Sequence, residues 1–560
     1  MLAGVARIAE RHGGRSLQQN VGTAHKNARS KHVARSKNVG GVRTGADILG
    51  RPAVSSWWNV PFSLPETRMA SPAITVRKPR PVSRGVVLRI VAAVLVVAMS
   101  WSLGSGPATA AEARLPNIVF ILADDLGYGD LHCYGHPYSK TPNLDKLAAE
   151  GTRFTQFYST GVTCCPARTG LMTGKFPATF AKYPSAFGFG DRTTITELLK
   201  KQGYATGHFG KWHIGPTTTA GTYGIDVVGA DDEAAPGGKK NRSPELGRDA
   251  PIYDAAIRFV EKHRDGPFYV NVWSHITHHP IDPSQKFVDE FRDLHVDEAK
   301  FSDYQREKFA TIRKGGGDVD DAMRHFLGDL YSLDLDVGRL LAKLDELGLR
   351  ENTIVVFNSD QGAAPVRLPG DKSEGTPKSK KAKKQGDDGR EELRFNLVGD
   401  SGGLRGGKHI DYEGGVRTPF IVRWPGHVPA GRVDEASVLS GADWLPSLCA
   451  IAGARHGLTD LDGEDSSPAW LGGTHVRTKP LFWKTNSTNS GPAMRVENWK
   501  LRASHRNRGD TELFDLATDA AERKNLAAEK ADVVATLKQR LDAWTASLPT
   551  AYEHGDARDD

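Results

Sequence analysis

Three observations on this 560-residue sequence predict an α/β fold: a large, mostly parallel central sheet flanked by helices, with a smaller C-terminal α+β domain. First, unbroken apolar runs recur and end in polar residues, as in Asn117–Asp124, Phe268–His275 and Thr353–Asp360. Strands buried on both faces read this way, and such burial is typical of parallel sheets. Second, helical patterns lie between the runs. The clearest passes through Phe326, Leu330, Leu333, Val337, Leu340, Leu341, Leu344 and Leu347 and stops at Gly348. That spacing gives one apolar stripe, and alternation of strand and helix builds a parallel sheet. Third, after about residue 478 the pattern changes to short strands followed by one amphipathic helix.

Taken in order, residues 1–68 are rich in Arg, Gly, Ser and Asn with no apolar period, which predicts a disordered leader outside the mature fold. From Met69, the expected start, Arg77, Lys78, Arg80, Arg84 and Arg89 precede the apolar stretch Ile90–Leu103 and an Ala108-Thr109-Ala110 cleavage site. Residues 69–110 therefore read as a signal peptide, the competing reading being a membrane anchor with a basic tail. The apolar stretch is short for a membrane span, so an exported protein is expected, periplasmic or extracellular, with no stable span after cleavage. Charge supports the division. Residues 1–110 hold 16 basic and 3 acidic side chains, whereas the remainder holds 58 and 64. The mature chain is mildly acidic, which argues against nucleic acid as a partner. Four cysteines, Cys133, Cys164, Cys165 and Cys449, make no disulfide framework.

Residues 111–477 carry the expected catalytic domain. Tyr204–Lys211 and Pro419–Trp424 add weaker strands to the three long runs. Two segments interrupt it: the Gly- and charge-rich stretch Gly229–Arg248, and a flexible insertion at 364–392 with Lys372, Lys378, Lys380, Lys381, Lys383 and Lys384. In the C-terminal domain, 478–560, strands are expected at Pro480–Lys484, Ala493–Ala503 and Glu512–Leu516. A helix follows over Lys530–Ser547, with Val533, Val534, Leu537, Leu541 and Trp544 on one stripe.

The chemistry gathers at strand ends, where ligands of open α/β sheets bind. Asp124-Asp125 follow the first run, and Asp360-Gln361 end another. Adjacent carboxylates repel unless a cation holds them. All-oxygen donors point to Ca²⁺, or Mg²⁺, rather than Zn²⁺. The run Cys164-Cys165-Pro166-Ala167-Arg168-Thr169-Gly170-Leu171-Met172-Thr173-Gly174 supplies a second centre. Pro166 suits a first helical turn, so Cys164 falls at a helix N-terminus, where backbone N–H groups favour an anion. Arg168, one turn on, offers a fork of donors to the same point. A buried structural Cys, or a Cys164–Cys165 metal or redox pair, is the competing reading.

This run resembles the C-x-P-[SA]-R-x-x-x-[LM]-T-G signature of type I sulfatases, of the alkaline phosphatase superfamily. The resemblance extends over Asp124–Asp130 (D-D-x-G-x-G-D), Gly210–Gly215 (G-K-W-H-x-G) and His275–Pro280 (H-x-x-H-x-P). It continues through Gly407-Lys408 with Glu413–Pro419 (G-K…E-G-G-x-R-x-P) and Glu512–Leu516 with Asn525-Leu526, covering roughly 115–549. It implies that Cys164 is converted to formylglycine by a maturation enzyme and that the hydrated aldehyde is the nucleophile. It implies that Asp124, Asp125, Asp360, Gln361 and the modified Cys164 bind the metal. Gln361 stands where the family most often has Asn or His. Arg168 steadies the hydrate and His213 contacts it and takes its proton. Lys211, His278 and Lys408 hold sulfate, and His278 or Lys408 protonates the leaving oxygen. Within the His cluster, His278 is chosen over His275 and His279 because it stands two before Pro280. The implied activity is hydrolysis of sulfate monoesters, with a sulfated saccharide or an aryl sulfate as substrate. A phosphonate or phosphate ester hydrolase and a catalytically silent glycan-binding protein are the alternatives.

Overall fold

The computed structural model describes residues 114–551, 553 and 555, except 216–217, 230–244, 367–396, 485–490 and 504–509. The expected leader, the expected signal peptide and nearly all of the Lys-rich stretch at 364–392 lie outside these residues. Among the described residues no helix is long and apolar enough to cross a membrane.

The central sheet contains β1 (Asn117–Ala123), β2 (Thr152–Tyr158), β3 (Ala205–Gly210), β4 (Val227–Gly229), β5 (Phe268–Trp273), β6 (Thr353–Ser359), β7 (Arg417–Arg423), β8 (Arg432–Asp434) and β9 (Leu439–Ser440). Its order is β4-β3-β5-β1-β6-β7-β2-β8, with β9 also on β2. The stretch from β4 to β6 is parallel throughout; β7 runs antiparallel to both β6 and β2. The three long apolar runs are thus the sheet's middle, and every residue of β1, β5 and β6 is buried.

Successive side chains of β1 enter two different cores. Val119, Ile121 and Ala123 pack with α1 (Pro142–Ala149), α4 (Ala250–Lys262), α5 (Asp303–Lys314) and α6 (Val319–Glu346). Ile118, Phe120 and Leu122 pack with α2 (Cys164–Thr173), α3 (Ile195–Lys201) and α8 (Trp444–Ala452). The period of two along a strand makes this division, and helices on both faces explain why no polar alternation appears.

A second sheet of β10 (Leu481–Trp483), β11 (Ala493–Val496), β12 (Trp499–Arg502) and β13 (Glu512–Asp515) is antiparallel in chain order. Helix α9 (Ala531–Ser547) covers it, with Leu537 and Leu541 on Met494, Leu501 and Leu513. The single strand expected over Ala493–Ala503 is two, because Glu497 adopts φ 51° and turns the chain into a hairpin. Trp483 joins the second sheet to the first, donating from Nε1 to Ser159 O at 2.8 Å.

Candidate active site

Register brings the chemistry together. Gly210 and Leu122 both lie opposite Trp273, and Ala123 lies opposite Ser359, so four parallel strands end in one row. The next residues are Lys211, Ser274-His275, Asp124-Asp125 and Asp360-Gln361. Backbone bonds knit the ends: Asp124 N to Ile276 O at 3.0 Å, Thr277 N to Asp124 O at 2.7 Å and Asp360 N to Ala123 O at 3.1 Å. Asp125 turns away at φ 65°, outside the strand region, which lets adjacent carboxylates enter one pocket.

Helix α2 faces this row. Thr163 precedes it in extended conformation, Gly174 ends it at φ 67°, and Pro166 lies in its first turn. The Cys164 thiol is fully buried and donates to Asp124 Oδ1 at 3.3 Å. Its Sγ receives Lys211 Nζ and Gln361 Nε2, each at 3.4 Å. Burial, with Asp124 beside it, pushes the thiol pKa up, so unmodified Cys164 is a poor nucleophile. Arg168 is buried one turn on. Its Nε and Nη2 donate to Asp360 Oδ2 at 3.1 and 2.7 Å, and Nη1 donates to Lys211 O at 2.6 Å. Its guanidinium also lies over the Trp273 ring, 5.1 Å from the centroid.

Asp124, Asp125, Cys164 and Asp360 each offer an atom such that all four lie within 4.8 Å of one another. Lys211 Nζ is 2.6 Å from Asp124 Oδ2, and Lys408 Nζ is 3.0 Å from Asp125 Oδ1. Burial opposes the charge of Asp124, but Lys211, His278, Arg168 and Lys408 outweigh it and hold its pKa well below the usual carboxylate range. Burial and the neighbouring Asp124 lift Asp360 to about 6 even with Arg168 attached. Three buried carboxylates of differing acidity each face a cation, Asp124 with Lys211, Asp125 with Lys408 and Asp360 with Arg168. Gln361 Nε2 is bonded to Asp125 Oδ1, while its Oε1 is buried without a hydrogen-bond partner. Amide orientation is set by surroundings, and a half-turn presents that oxygen to the cluster. Hard oxygen donors gathered within 4.8 Å and an orphaned amide oxygen together fit a divalent cation.

Of the three neighbouring histidines, His278 stands with Asp124 and Cys164, its Nε2 3.9 Å from Asp125 Oδ2. Its Nδ1 lies 2.8 Å from His279 O, an acceptor, so Nδ1 carries the proton. Burial, then Lys211 and Lys408, hold the His278 pKa well below its ordinary value. Burial and Lys211 likewise push His213 down to about 3. The structure thus brings Asp124, Asp125, Cys164, Arg168, Lys211, His278, Asp360, Gln361 and Lys408 together around one cluster, and His213, two residues after Lys211, feels its charges.

The sequence reading missed Arg248, whose Nη2 donates to His275 O at 3.1 Å and to His278 O at 2.8 Å. It missed Asp249 too, which accepts from the backbone N–H groups of His275 and Ile276. The only signal was an Arg-Asp pair opening an amphipathic helix, which says nothing about what the pair faces.

A doubly covered α/β sheet whose strand ends gather carboxylates, ammonium groups and a helix-start cysteine defines a hydrolase of the alkaline phosphatase superfamily. The chain belongs to the sulfatase family, whose model matches residues 116–454. A model described as N-sulphoglucosamine sulphohydrolase, C-terminal, matches 407–547. It is 31% identical to human arylsulfatase A, over 80% of this chain and 90% of that protein. It is 27% identical to the N-acetylgalactosamine-6-O-sulfatase of Bacteroides thetaiotaomicron, over 77% of this chain and 93% of that one. The fold matches the crystal structure of Ps i-CgsB in complex with k-i-k-neocarrahexaose at a TM-score of 0.61. That match has 23% identity and covers 79% of this chain and 96% of the other. The protein is a sulfuric ester hydrolase.

Proposed function

We propose that the substrate is a sulfated saccharide, that Cys164 acts as formylglycine after oxidation by a maturation enzyme, and that Asp124, Asp125, Asp360 and Gln361 hold Ca²⁺ or Mg²⁺. The observation that carries this reading is the convergence of Cys164 Sγ with three buried carboxylates inside 4.8 Å. Relatives named N-acetylgalactosamine-6-sulfatase and a fold neighbour in complex with k-i-k-neocarrahexaose support the saccharide. When present, the hydrated formylglycine supplies the attacking oxygen and the cation draws charge from the sulfate.

The chain's own residues do the rest. Lys211 and Lys408 flank the carboxylate cluster and take the sulfate oxygens as charge builds. Arg168, pinned to Asp360, keeps a fixed positive group beside the helix start. His213 removes a proton from residue 164. His278 has its Nδ1–H committed to His279 O and presents Nε2 to the pocket. Burial, then Lys211 and Lys408, depress its protonation, and the single negative charge of a bound sulfate ester works against that depression. Nε2 then carries the proton that the leaving oxygen needs. The signal-peptide pattern at 69–110 supports export before this work is done.

Expression of the chain in a host with a maturation enzyme tests the reading. Formylglycine makes the Cys164 peptide roughly 18 Da lighter than the thiol form. The same digest reports the mature N-terminus, expected near Ala110. Cys164→Ala is expected to keep the fold and lose turnover; activity within tenfold of wild type would refute the assignment.

A further inference from the structure

We infer that Arg248, Asp249 and Asp329 form a positioning frame that sets His278 against the leaving oxygen of the ester. The inference rests on the role given to His278 above. Its observations are separate, because none of the three residues belongs to the metal or sulfate site.

Arg248 stands two residues before α4, next to the N-cap Asp249, and keeps only 10% of its side chain exposed. Its Nε and Nη2 donate to Asp329 Oδ1 and Oδ2 at 3.2 and 2.9 Å, a two-point pairing that fixes the guanidinium plane. From that plane Nη2 reaches His278 O at 2.8 Å and His275 O at 3.1 Å, its two N–H groups being shared among these carbonyls and Asp329 Oδ2. Asp249 grips the same turn by its amides, Oδ2 accepting from His275 N at 2.8 Å and Ile276 N at 3.1 Å. Two carbonyls and two N–H groups of one four-residue turn are therefore held by two consecutive side chains. The opposite side of the turn is tied to the metal-site strand through Asp124 N to Ile276 O and Thr277 N to Asp124 O. The turn is clamped between the carboxylate cluster and Arg248-Asp249.

Asp329 explains what the clamp is for. It lies fully buried in the middle of α6, on the face that carries Phe326, Leu330 and Leu333. A buried ion pair gives little net stability, and a well-packed apolar pair often does as well. What the pair does supply is direction. A bidentate guanidinium cannot rotate, so the carbonyl of His278 has one place to be. His278 makes its own side-chain bond to its neighbour's carbonyl, so the location of Nε2 follows the backbone of the turn. A misplacement on the order of 1 Å in such a group costs roughly a hundredfold in rate.

The test reads leaving-group dependence, which a merely structural residue does not move. A series of substituted phenyl sulfates, from 4-nitrophenyl to 4-methylphenyl, is assayed for kcat/KM. The poorer leaving groups need the proton more. His278→Ala is expected to steepen the dependence, so that 4-methylphenyl sulfate loses about 30-fold more than 4-nitrophenyl sulfate. The paired variant Arg248→Met/Asp329→Leu removes both charges together. It is expected to steepen the dependence by a comparable factor, and to add nothing when combined with His278→Ala. Arg248→Lys leaves Asp329 paired but loses the fork, and is expected to steepen it in part. Thermal midpoint and formylglycine content are matched to wild type in each case. If His278→Ala leaves the dependence unchanged, the role of His278 falls and the frame with it. If His278→Ala steepens it while both Arg248 variants lower all substrates uniformly, the frame alone is overturned.

Discussion

Gln361 can face the carboxylate cluster with either end of its amide. Its Nε2 is spent on Asp125 and Cys164 while Oε1 finds no hydrogen-bond partner, an arrangement that a cation would reverse. Removal of the metal is therefore expected to cost more than turnover. Chelation should abolish activity and lower the thermal midpoint, because an ion that binds only the folded state stabilises it. Ca²⁺ or Mg²⁺ should restore both, and Gln361→Ala should weaken metal affinity by about tenfold or more, read by calorimetry on the chelated protein. Rescue by Zn²⁺ alone would contradict the oxygen-donor argument. At this scale the sequence was informative where local geometry decides. Pro166 announces the helix start, so the placement of Cys164 and Arg168 one turn apart on it was readable from spacing. Lys211 and Lys408 were readable only through the family resemblance, since a single Lys after a Gly carries no signal of burial. Arg248 and Asp329 are 81 residues apart and meet only in the fold.

Elements were legible in proportion to how completely they are buried. The strands β1, β5 and β6 are apolar on both faces and stand out as runs, whereas β2, Thr-Arg-Phe-Thr-Gln-Phe-Tyr, has two half-exposed polar positions and a register shift between Phe154 and Phe157. Its pairing with β7 decides it, and no local pattern reports that. The turn α7 (Glu413–Val416) is shorter still, yet the site is built on it. Gly415 O accepts from Gly362 N at 3.0 Å, directly after Gln361, and Lys408 N reaches Ala363 O at 2.9 Å. The approach requires bare backbone: a Cβ at Gly362 would stand 1.8 Å from Gly414 O, and one at Gly415 the same distance from Ile410 O. Gly362→Ala is expected to separate Gln361 from the Lys408 loop, lowering kcat/KM by a hundredfold or more on the order set by misplaced groups. The thermal midpoint should fall by several degrees. Gly266→Ala, where an added Cβ meets nothing within 4 Å, should change neither. Equal behaviour of the two variants in a thermal scan and an aryl sulfate assay would dismiss the close approach as a constraint.

Across the whole molecule, the two sheets are joined by buried charge that no stretch of sequence announces. Lys500 on β12 places Nζ 3.0 Å from Glu413 Oε1 and 3.0 Å from Glu522 Oε1, with all three side chains fully buried. Glu413 also takes Tyr158 OH at 2.6 Å, and its N–H donates to Glu522 Oε2 at 2.6 Å. Arg417 Nη1 also stands 3.5 Å from Glu413 Oε2, so Glu413 has two cations and Glu522 only its share of Lys500. Burial first, and then Glu413 beside it, raise the Glu522 pKa to about 7, against the pull of Lys500. The sign of the consequence follows from linkage. A carboxyl whose pKa is raised on folding binds its proton more tightly in the folded state, so its contribution to stability falls as pH rises from about 4.5 to about 7. At 1.36 kcal/mol per unit, the whole loss is on the order of 3 kcal/mol. Glu522→Gln keeps an oxygen for the Glu413 N–H, leaves Lys500 with one carboxylate, and removes the proton equilibrium. The thermal midpoint of the variant minus that of wild type should therefore climb by several degrees between pH 5 and pH 8, measured in one buffer series. A difference that stays flat across this range would mean that Glu522 is already ionised at pH 5, and that Lys500 satisfies both carboxylates at once.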